Sequence, residues 1–447
     1  MAARNKEGLA ASMLHVGERC LAQLWQKFDS TYFPLQLLIY VFLFPLLELA
    51  FVFRVRRFLR VRSAQRQPHH TADTAEVERF WTRILTEEDG RTADAILRGW
   101  FLGEGPIGEG NMEELVAWTL YAKPPHALAG ARRAKVARVL ARLLQRTSPF
   151  APYPAGRNPR RVCMLHTLEP LDACWKPLLF YLAVQTVREL AWAVLRRRGF
   201  ELRAEGALQY WCHPGRSQRG ADAAPAPPIV VLHGVGGLTP YLPLLLQLRA
   251  VRPSSPLLVP FLPHCSLLTP AFDPPPPLDT TALVRSLAAV VERHGGGGGG
   301  GGGRAIFFAH SLGTALLASV IKEFPRLVGG ALFVDPICFL LYKHDVVHNF
   351  LYHCPAPLRH GPRQALHVGY WFRLALHYLL RCEPTIQSAF RREFWWGRHW
   401  LHPADVPCAA YVSLSGRDAI VPSHEVRSYL RQRAEAARAD DAARWRR

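Results

Sequence analysis

The sequence predicts an α/β chain in which a mostly parallel sheet is flanked by helices, and three observations carry that expectation. From residue 229 onward, short apolar runs that read as buried strands alternate with helical segments, the pattern of parallel strands joined by crossover helices. Within that alternation residues 304–320, RAIFFAHSLGTALLASV, read as a strand, a tight turn carrying Ser311 and an apolar helix. Upstream, the apolar run at 229–232 ends directly in HGVGG at 233–237, a glycine-rich turn at the carboxyl end of a strand, the edge at which open α/β sheets meet their ligands.

The individual strands follow from apolar runs at 229–232, 257–261, 305–308, 331–334 and 409–414, with helical segments between most of them. A Pro/Ala-rich link at 221–228 separates this alternation from what precedes it. The nine consecutive glycines at 295–303 read as a flexible low-complexity insertion, with no spacing that would cradle a phosphate. No cofactor is expected.

The amino-terminal half reads differently. Residues 1–31 are a mixed segment, and residues 32–53 are apolar apart from Gln36 and Glu48, long enough to cross a hydrocarbon core of about 30 Å. Pro45 is a place for that candidate membrane helix to kink or to split. Arg54, Arg56, Arg57, Arg60, Arg62 and Arg66 follow it directly, a bias that puts the carboxyl-terminal bulk on the cytosolic side. Residues 71–200 form a helical, membrane-proximal region. Val77, Phe80, Trp81 and Ile84 share one face of a helix over 75–85, Asn111 caps a helix over 111–121, and 131–146 is a basic amphipathic helix. A second apolar helix at 177–195 carries Arg188 and Glu189 in its middle, which favours a helix lying in the membrane interface with its aromatic and leucine face in lipid over one that spans.

Bulk properties narrow the partners. A chain of 447 residues holds one large core and an additional region. The net charge of +20 calls for a polyanionic neighbour, and the basic run after the apolar segment points to an anionic bilayer face. Nucleic acid is disfavoured, since no zinc-finger spacing or reader module is present. The nine cysteines form no CxxC pair, so neither a disulfide framework nor a metal site is expected. Cys163, Cys174, Cys212, Cys265, Cys338, Cys354, Cys382 and Cys408 mostly sit in apolar surroundings and read as small buried hydrophobes.

A serine hydroxyl becomes a nucleophile only with a base to take its proton, an acid to hold that base and amide donors for the oxyanion. Ser311 lies in a nucleophile-elbow pattern with Ala309 and Gly313 at the two positions that must be small. Gly236 and Gly237 of the HGVGG turn, with the amide of Leu312, are the expected oxyanion donors. Two acids are candidates: Asp418, at the end of YVSLSGRD, and Asp335, at the end of ALFVD, with Asp418 favoured by chain order. His424 is the histidine that follows Asp418, and it is the expected base; His310, beside Ser311, is expected to point into the packing of the elbow, and His399 and His402 are further possibilities. The long aromatic segment over 336–402 reads as a cap inserted over the site.

These residues resemble a family of membrane-associated α/β-hydrolase-fold proteins of fungi, algae and protists, whose members carry an AB hydrolase-1 domain. The matching pieces are GWF at 99–101, NMEELVAW at 111–118, KPLLFYL at 176–182, RRGF at 197–200, HGVGGLTPY at 233–241, AHSLGT at 309–314, FVDPICFLL at 333–341, HNFLY at 348–352, RREFWW at 391–396 and SGRDAIVP at 415–422. The resemblance implies an α/β-hydrolase fold over 229–447 with an amino-terminal membrane anchor, a serine hydrolase activity, Ser311 as nucleophile and Asp418 as acid. It also implies a further strand and a histidine after the SGRD segment. The expected function is a membrane-bound serine hydrolase that cleaves lipid-like carboxylic esters through an acyl-enzyme. The alternative is a non-catalytic scaffold or lipid-binding protein built on the same fold.

Overall fold

The computed structural model describes residues 39–65, 74–150, 152–216, 226–267, 279–295, 303–353 and 368–444. The chain divides into two compact units, Met1–Arg56 and Arg57–Arg447. A π-helical turn at Ile39–Leu43 in the first passes into helix α1, Phe44–Ala64, within which the boundary between the units falls. The change of register falls at Pro45, which has no N–H to continue the hydrogen-bond ladder. Val41, Phe42, Leu46, Leu47, Leu49 and Phe53 are exposed. The first part of the expected membrane helix, residues 32–38, lies outside the described residues, as do most of the glycine run and Cys354.

The second unit is built on a seven-stranded sheet. In chain order its strands are β3 (Glu201–Glu205), β4 (Leu208–His213), β5 (Ile229–Leu232), β6 (Leu257–Phe261), β7 (Ala305–His310), β8 (Val328–Val334) and β9 (Ala410–Ser413). A separate two-stranded ribbon pairs β1 (Phe101–Gly103) with β2 (Arg161–Cys163). The order across the large sheet is β3-β4-β6-β5-β7-β8-β9. From β6 to β9 every pair is parallel, and β4 pairs antiparallel with both β3 and β6. This mostly parallel sheet, reversing at its second strand and carrying a serine elbow after a central strand, is the α/β-hydrolase fold.

All five expected strands are present, and the β3–β4 hairpin adds two that the apolar pattern missed. β3 reads ELRAE and lies at the sheet edge, where charged side chains block further strand pairing. Its connection to β4 is a two-residue loop opened by Gly206 at φ 53.

The period-2 alternation of the strands sorts the core into two faces. Ile229 and Val231 pack with Trp211, Leu257 and Val259 under Leu195 of helix α6 (Leu178–Arg197) and Leu245 of helix α7 (Leu242–Val251). Val230 and Leu232 face the larger cluster, which includes helix α8 (Thr280–His294) and the almost wholly buried α9 (Leu312–Glu323). The helical region before the sheet belongs to that same core, because Val77, Phe80, Trp81 and Ile84 are all buried in it. Asn111 differs from its expected role. Gly108 is the N-cap of the helix Glu109–Tyr121, and the Asn111 side chain in the first turn accepts from the Gly108 amide at 3.1 Å and donates to Asn158 and Arg161 carbonyls.

Between β8 and β9 the chain forms the inserted segment, in which short α-helices alternate with π-helical turns. Most of its aromatic residues are packing: Trp396 meets Phe80 edge-on at 4.9 Å and Trp395 meets Trp118 at 5.7 Å. Buried arginines fasten it down. Arg391 pairs with Glu169 at 2.8 Å, and Arg392 donates to the carbonyls of Arg62, Thr167 and Glu169. Cys163, Cys212, Cys265, Cys338 and Cys382 are buried as expected, whereas Cys174 is exposed because its loop runs over the surface.

Candidate active site

The elbow is built by local geometry. Ser311 sits at φ 50, ψ −118, between β7 and α9, a region costing a non-glycine residue on the order of 1–3 kcal/mol and kept only where its surroundings over-determine it. Here they do. The Ser311 amide donates to the Val334 carbonyl at 2.9 Å, and its carbonyl accepts from the Thr314 amide at 2.9 Å and from the Thr314 hydroxyl at 2.6 Å. Thr314 Oγ1 in turn accepts from the Ile337 amide at 3.1 Å, tying the elbow to the chain after β8. Gly313 is required: a Cβ there would lie 2.3 Å from the Leu232 carbonyl oxygen. Ala309 is fully buried in β7 opposite Leu232 and Phe333, so a methyl is accommodated at the other small position.

Ser311 opens into a cavity of about 700 Å³ whose walls are mostly apolar. Val235, Leu312 and Ile337 form its floor side, Leu376, Leu380 and Phe390 come from the inserted segment, and Ser415, Arg417 and Asp418 from the loop after β9. Behind Leu312 and Phe390 lies a smaller apolar space of about 50 Å³.

The HGVGG turn has a different internal economy from the one expected. His233 is fully buried; its Nδ1 donates to the Gly234 carbonyl at 2.8 Å and its Nε2 accepts from the Leu262 amide at 3.4 Å, so it clips the ends of β5 and β6 together. Burial lowers its pKa to about 4. The Gly236 amide donates to the Cys265 carbonyl at 2.8 Å, and Gly237, at φ 84, packs against Ser266. Both glycines serve the turn, and Gly236, expected as an oxyanion donor, has its N–H already committed to Cys265. Val235, which the sequence reading passed over, lines the cavity beside Ser311 and Leu312. The Leu312 amide is in the first turn of α9, where N–H groups have no intrahelical partner.

The two acids occupy different surroundings. Asp418 lines the cavity, and its Oδ1 accepts from the Ile420 and Val421 amides at 2.6 and 2.7 Å. Asp335, at φ 45, is buried; its carboxylate accepts from the Ser415 amide and hydroxyl at 2.6 and 2.7 Å. It also stands 4.0 Å from Nε2 of His310.

His424 is exposed in the first turn of the helix Ser423–Arg444, outside the Ser311 cavity. The structure does not bring it to Ser311. His399 is buried against Ser319 and the Ala315 carbonyl, each at 3.1 Å, and His402 caps the turn at Pro403–Asp405. Among the described residues, His310 is the histidine that lines the cavity. Its Nδ1 bonds the Tyr241 hydroxyl, which itself accepts from the Gly234 amide at 2.8 Å. A Cβ on Gly234 would meet His310 Nδ1 at 3.0 Å and Ser311 Cβ at 3.1 Å, so the imidazole and Ser311 flank one small space. Burial lowers the His310 pKa against the opposing pull of Asp335 and Asp418, which keeps the ring neutral near pH 7. The pairing of His310 with Tyr241, 69 residues away, leaves no signal in the local sequence.

No protein-family model and no curated protein matches the chain. Among solved structures it is similar to a thermophilic esterase from Thermogutta terrifontis, with 13% identity over 52% of this chain and 86% of that one and a TM-score of 0.32. A membrane phospholipase A described as a bacterial virulence factor aligns at 13% identity over 57% of this chain and 82% of that one, TM-score 0.35. A carboxylesterase of the thaumarchaeon Nitrososphaera gargenis aligns at 13% identity over 52% and 86%, TM-score 0.31. At such scores these likenesses carry no functional argument.

Proposed function

We propose that the chain is a serine hydrolase that cleaves carboxylic esters with apolar acyl or alkyl groups through an acyl-enzyme. The observation that carries this is Ser311, held at φ 50 on an elbow that opens into a mostly apolar cavity of about 700 Å³. In this reading Ser311 Oγ attacks the ester carbonyl, and the amides of Leu312 and Val235 receive the oxyanion. His310 takes the serine proton on Nε2 while its Nδ1–H donates to the Tyr241 hydroxyl, and the Asp335 carboxylate 4.0 Å from Nε2 stabilises the charge that forms; its support is its position on the cavity wall. Asp418 is the second acid of the site and shapes the cavity mouth with Arg417.

Attachment to a membrane belongs to the same proposal. Helix α6 is the one helix among the described residues long and apolar enough to cross a bilayer. Its Leu179, Leu182, Val187 and Leu190 are exposed, while Tyr181, Ala191 and Leu195 are buried. The aromatic side therefore faces the protein, with Trp192 on Trp211 at 5.4 Å, and the leucine side is the one free to meet lipid. Arg196, Arg197 and Arg198 are exposed at its end, suited to anionic headgroups. These features fit the family of membrane-associated α/β-hydrolases that the sequence resembles.

A second reading, acyl binding without turnover, is favoured by two observations: His424 is exposed away from the cavity, and the His310 Nδ1 is engaged by Tyr241. Hydrolysis of a p-nitrophenyl ester series by the full chain in phospholipid vesicles separates the two. Turnover that falls at least about 10³-fold in Ser311→Ala, falls about 10²-fold or more in His310→Gln and is unchanged in His424→Gln supports the enzyme reading. Saturable binding of the same esters with no turnover supports the other.

A further inference from the structure

We propose that Cys174 and Cys382 are a modification site, closing to a reversible intramolecular disulfide when the protein meets a peroxide. The two residues lie 208 apart in the chain, yet the Cys174 amide donates to the Cys382 carbonyl at 2.9 Å. With standard backbone dimensions that bond holds their Cα atoms at most about 6.8 Å apart, within the ~4.4–6.8 Å that a disulfide spans. The buried Lys176 ammonium fixes the approach, donating to the Cys174 carbonyl at 3.1 Å and to the Cys382 carbonyl at 3.0 Å. The Cys174 thiol is near enough to be among the groups that raise the Cys382 thiol.

Their surroundings divide the chemistry. Cys174 is exposed and open to a small oxidant, whereas Cys382 is 2% exposed. Burial pushes the Cys382 thiol up to about 12, so it waits as a thiol until its proton is taken. His377 is placed to take it, with Nε2 3.5 Å from the Cys382 sulfur, and burial keeps that imidazole neutral.

In the first step the Cys174 thiolate attacks one peroxide oxygen: an S–O bond forms, the O–O bond breaks and hydroxide leaves, to be protonated to water. In the second, His377 takes the Cys382 proton and the thiolate attacks the Cys174 sulfenic sulfur. The S–S bond forms, the S–O bond breaks, and the departing hydroxide takes the proton from His377 and leaves as water. Two thiols are oxidised by two electrons and one peroxide is reduced to two waters. Cys382 directly follows the helical turn Leu376–Arg381, whose Leu376 and Leu380 wall the Ser311 cavity, and Cys174 precedes α6. The bond therefore ties a wall of the cavity to the root of the exposed apolar helix.

The test uses the full chain, treated with hydrogen peroxide, quenched with catalase, alkylated and digested for mass spectrometry. The expected result is a linked pair of peptides carrying Cys174 and Cys382, lighter by two hydrogen masses than their sum and released by dithiothreitol. In Cys382→Ser a sulfenic acid at Cys174 is expected to accumulate and to be trapped by dimedone. In His377→Gln linkage slows by about 10²-fold. Hydrogen exchange at residues 376–381 slows in the linked form. Alkylation of both cysteines after peroxide, linkage of either to another cysteine, or Cys174 passing to sulfinic acid beside an unmodified Cys382 would overturn the proposal. None of these readouts depends on Ser311, so they stand apart from the hydrolase reading.

Discussion

Replacing Gly313 by alanine tests how the elbow is held. The new methyl would lie 2.3 Å from the Leu232 oxygen, 2.7 Å from its carbonyl carbon and 3.0 Å from the His233 oxygen. All three atoms are backbone at the end of a central strand, so none can swing aside, and α9 has to retreat from β5 by the order of 1 Å. Overpacking of this kind costs typically about 1–3 kcal/mol, and the rigidity of the neighbours puts Gly313→Ala at the upper end. The same retreat moves Ser311 and the Leu312 amide, and a displacement near 1 Å at a reacting centre costs on the order of 10²-fold in rate. Denaturant unfolding should therefore show a lower midpoint, and the rate of Ser311 acylation by an activated ester should fall in parallel. The control is Ala309→Gly, which removes a buried methyl without any clash and is expected to lose about 1 kcal/mol. Stability within about 0.5 kcal/mol of the parent together with an unchanged acylation rate would refute the reasoning.

Ser415→Ala removes one of the two donors to the buried Asp335 carboxylate and is expected to cost about 1–3 kcal/mol in denaturant unfolding, with a smaller effect from Ser423→Ala. His233 is neutral and buried when folded, with its pKa lowered to about 4, so the unfolded chain binds the extra proton. Its contribution to stability is present above the unfolded value of about 6.5 and is lost as pH falls from there towards 4, on the order of 3 kcal/mol in all; unfolding measured at pH 7 and pH 5 should differ by about 2 kcal/mol of this, and His233→Gln should flatten the difference. Leu179→Ser with Leu190→Ser removes two exposed apolar side chains from α6; at about 1.5–3 kcal/mol for each side chain fully buried in lipid, vesicle co-sedimentation should fall by tenfold or more. Leu380→Trp narrows the Ser311 cavity and should slow bulky esters far more than acetyl esters in the same assay.

What the sequence disclosed and what it hid follow the range of the interactions involved. The elbow was legible because β7, Ser311, Gly313 and α9 are contiguous, and strand, turn and helix each obey a local rule. The apolar face of 75–85 was legible from its period. β3 was hidden because an edge strand gains from charged side chains, which erase the apolar signal. One expected donor of the glycine turn fails because the Gly236 amide is committed to Cys265, 29 residues downstream, a partner that no spacing rule supplies. The same holds for His310. Its neighbours Tyr241 and Asp335 come from two different strand ends, and only the parallel register that sets His310 beside Val334 brings them together. Asp418, expected from its place after the last strand, lines the cavity, whereas His424, six residues on, followed the chain order but not the fold, which leaves it exposed on the last helix.

The most direct measurement is peptide mapping of the full chain, reconstituted in phospholipid vesicles, after reaction with a fluorophosphonate. The account predicts a single phosphonyl adduct on Ser311, absent in Ser311→Ala and formed more slowly in His310→Gln. A folded, vesicle-bound protein that takes up no adduct, or takes it up on another residue, would contradict the claim that this elbow presents an activated serine.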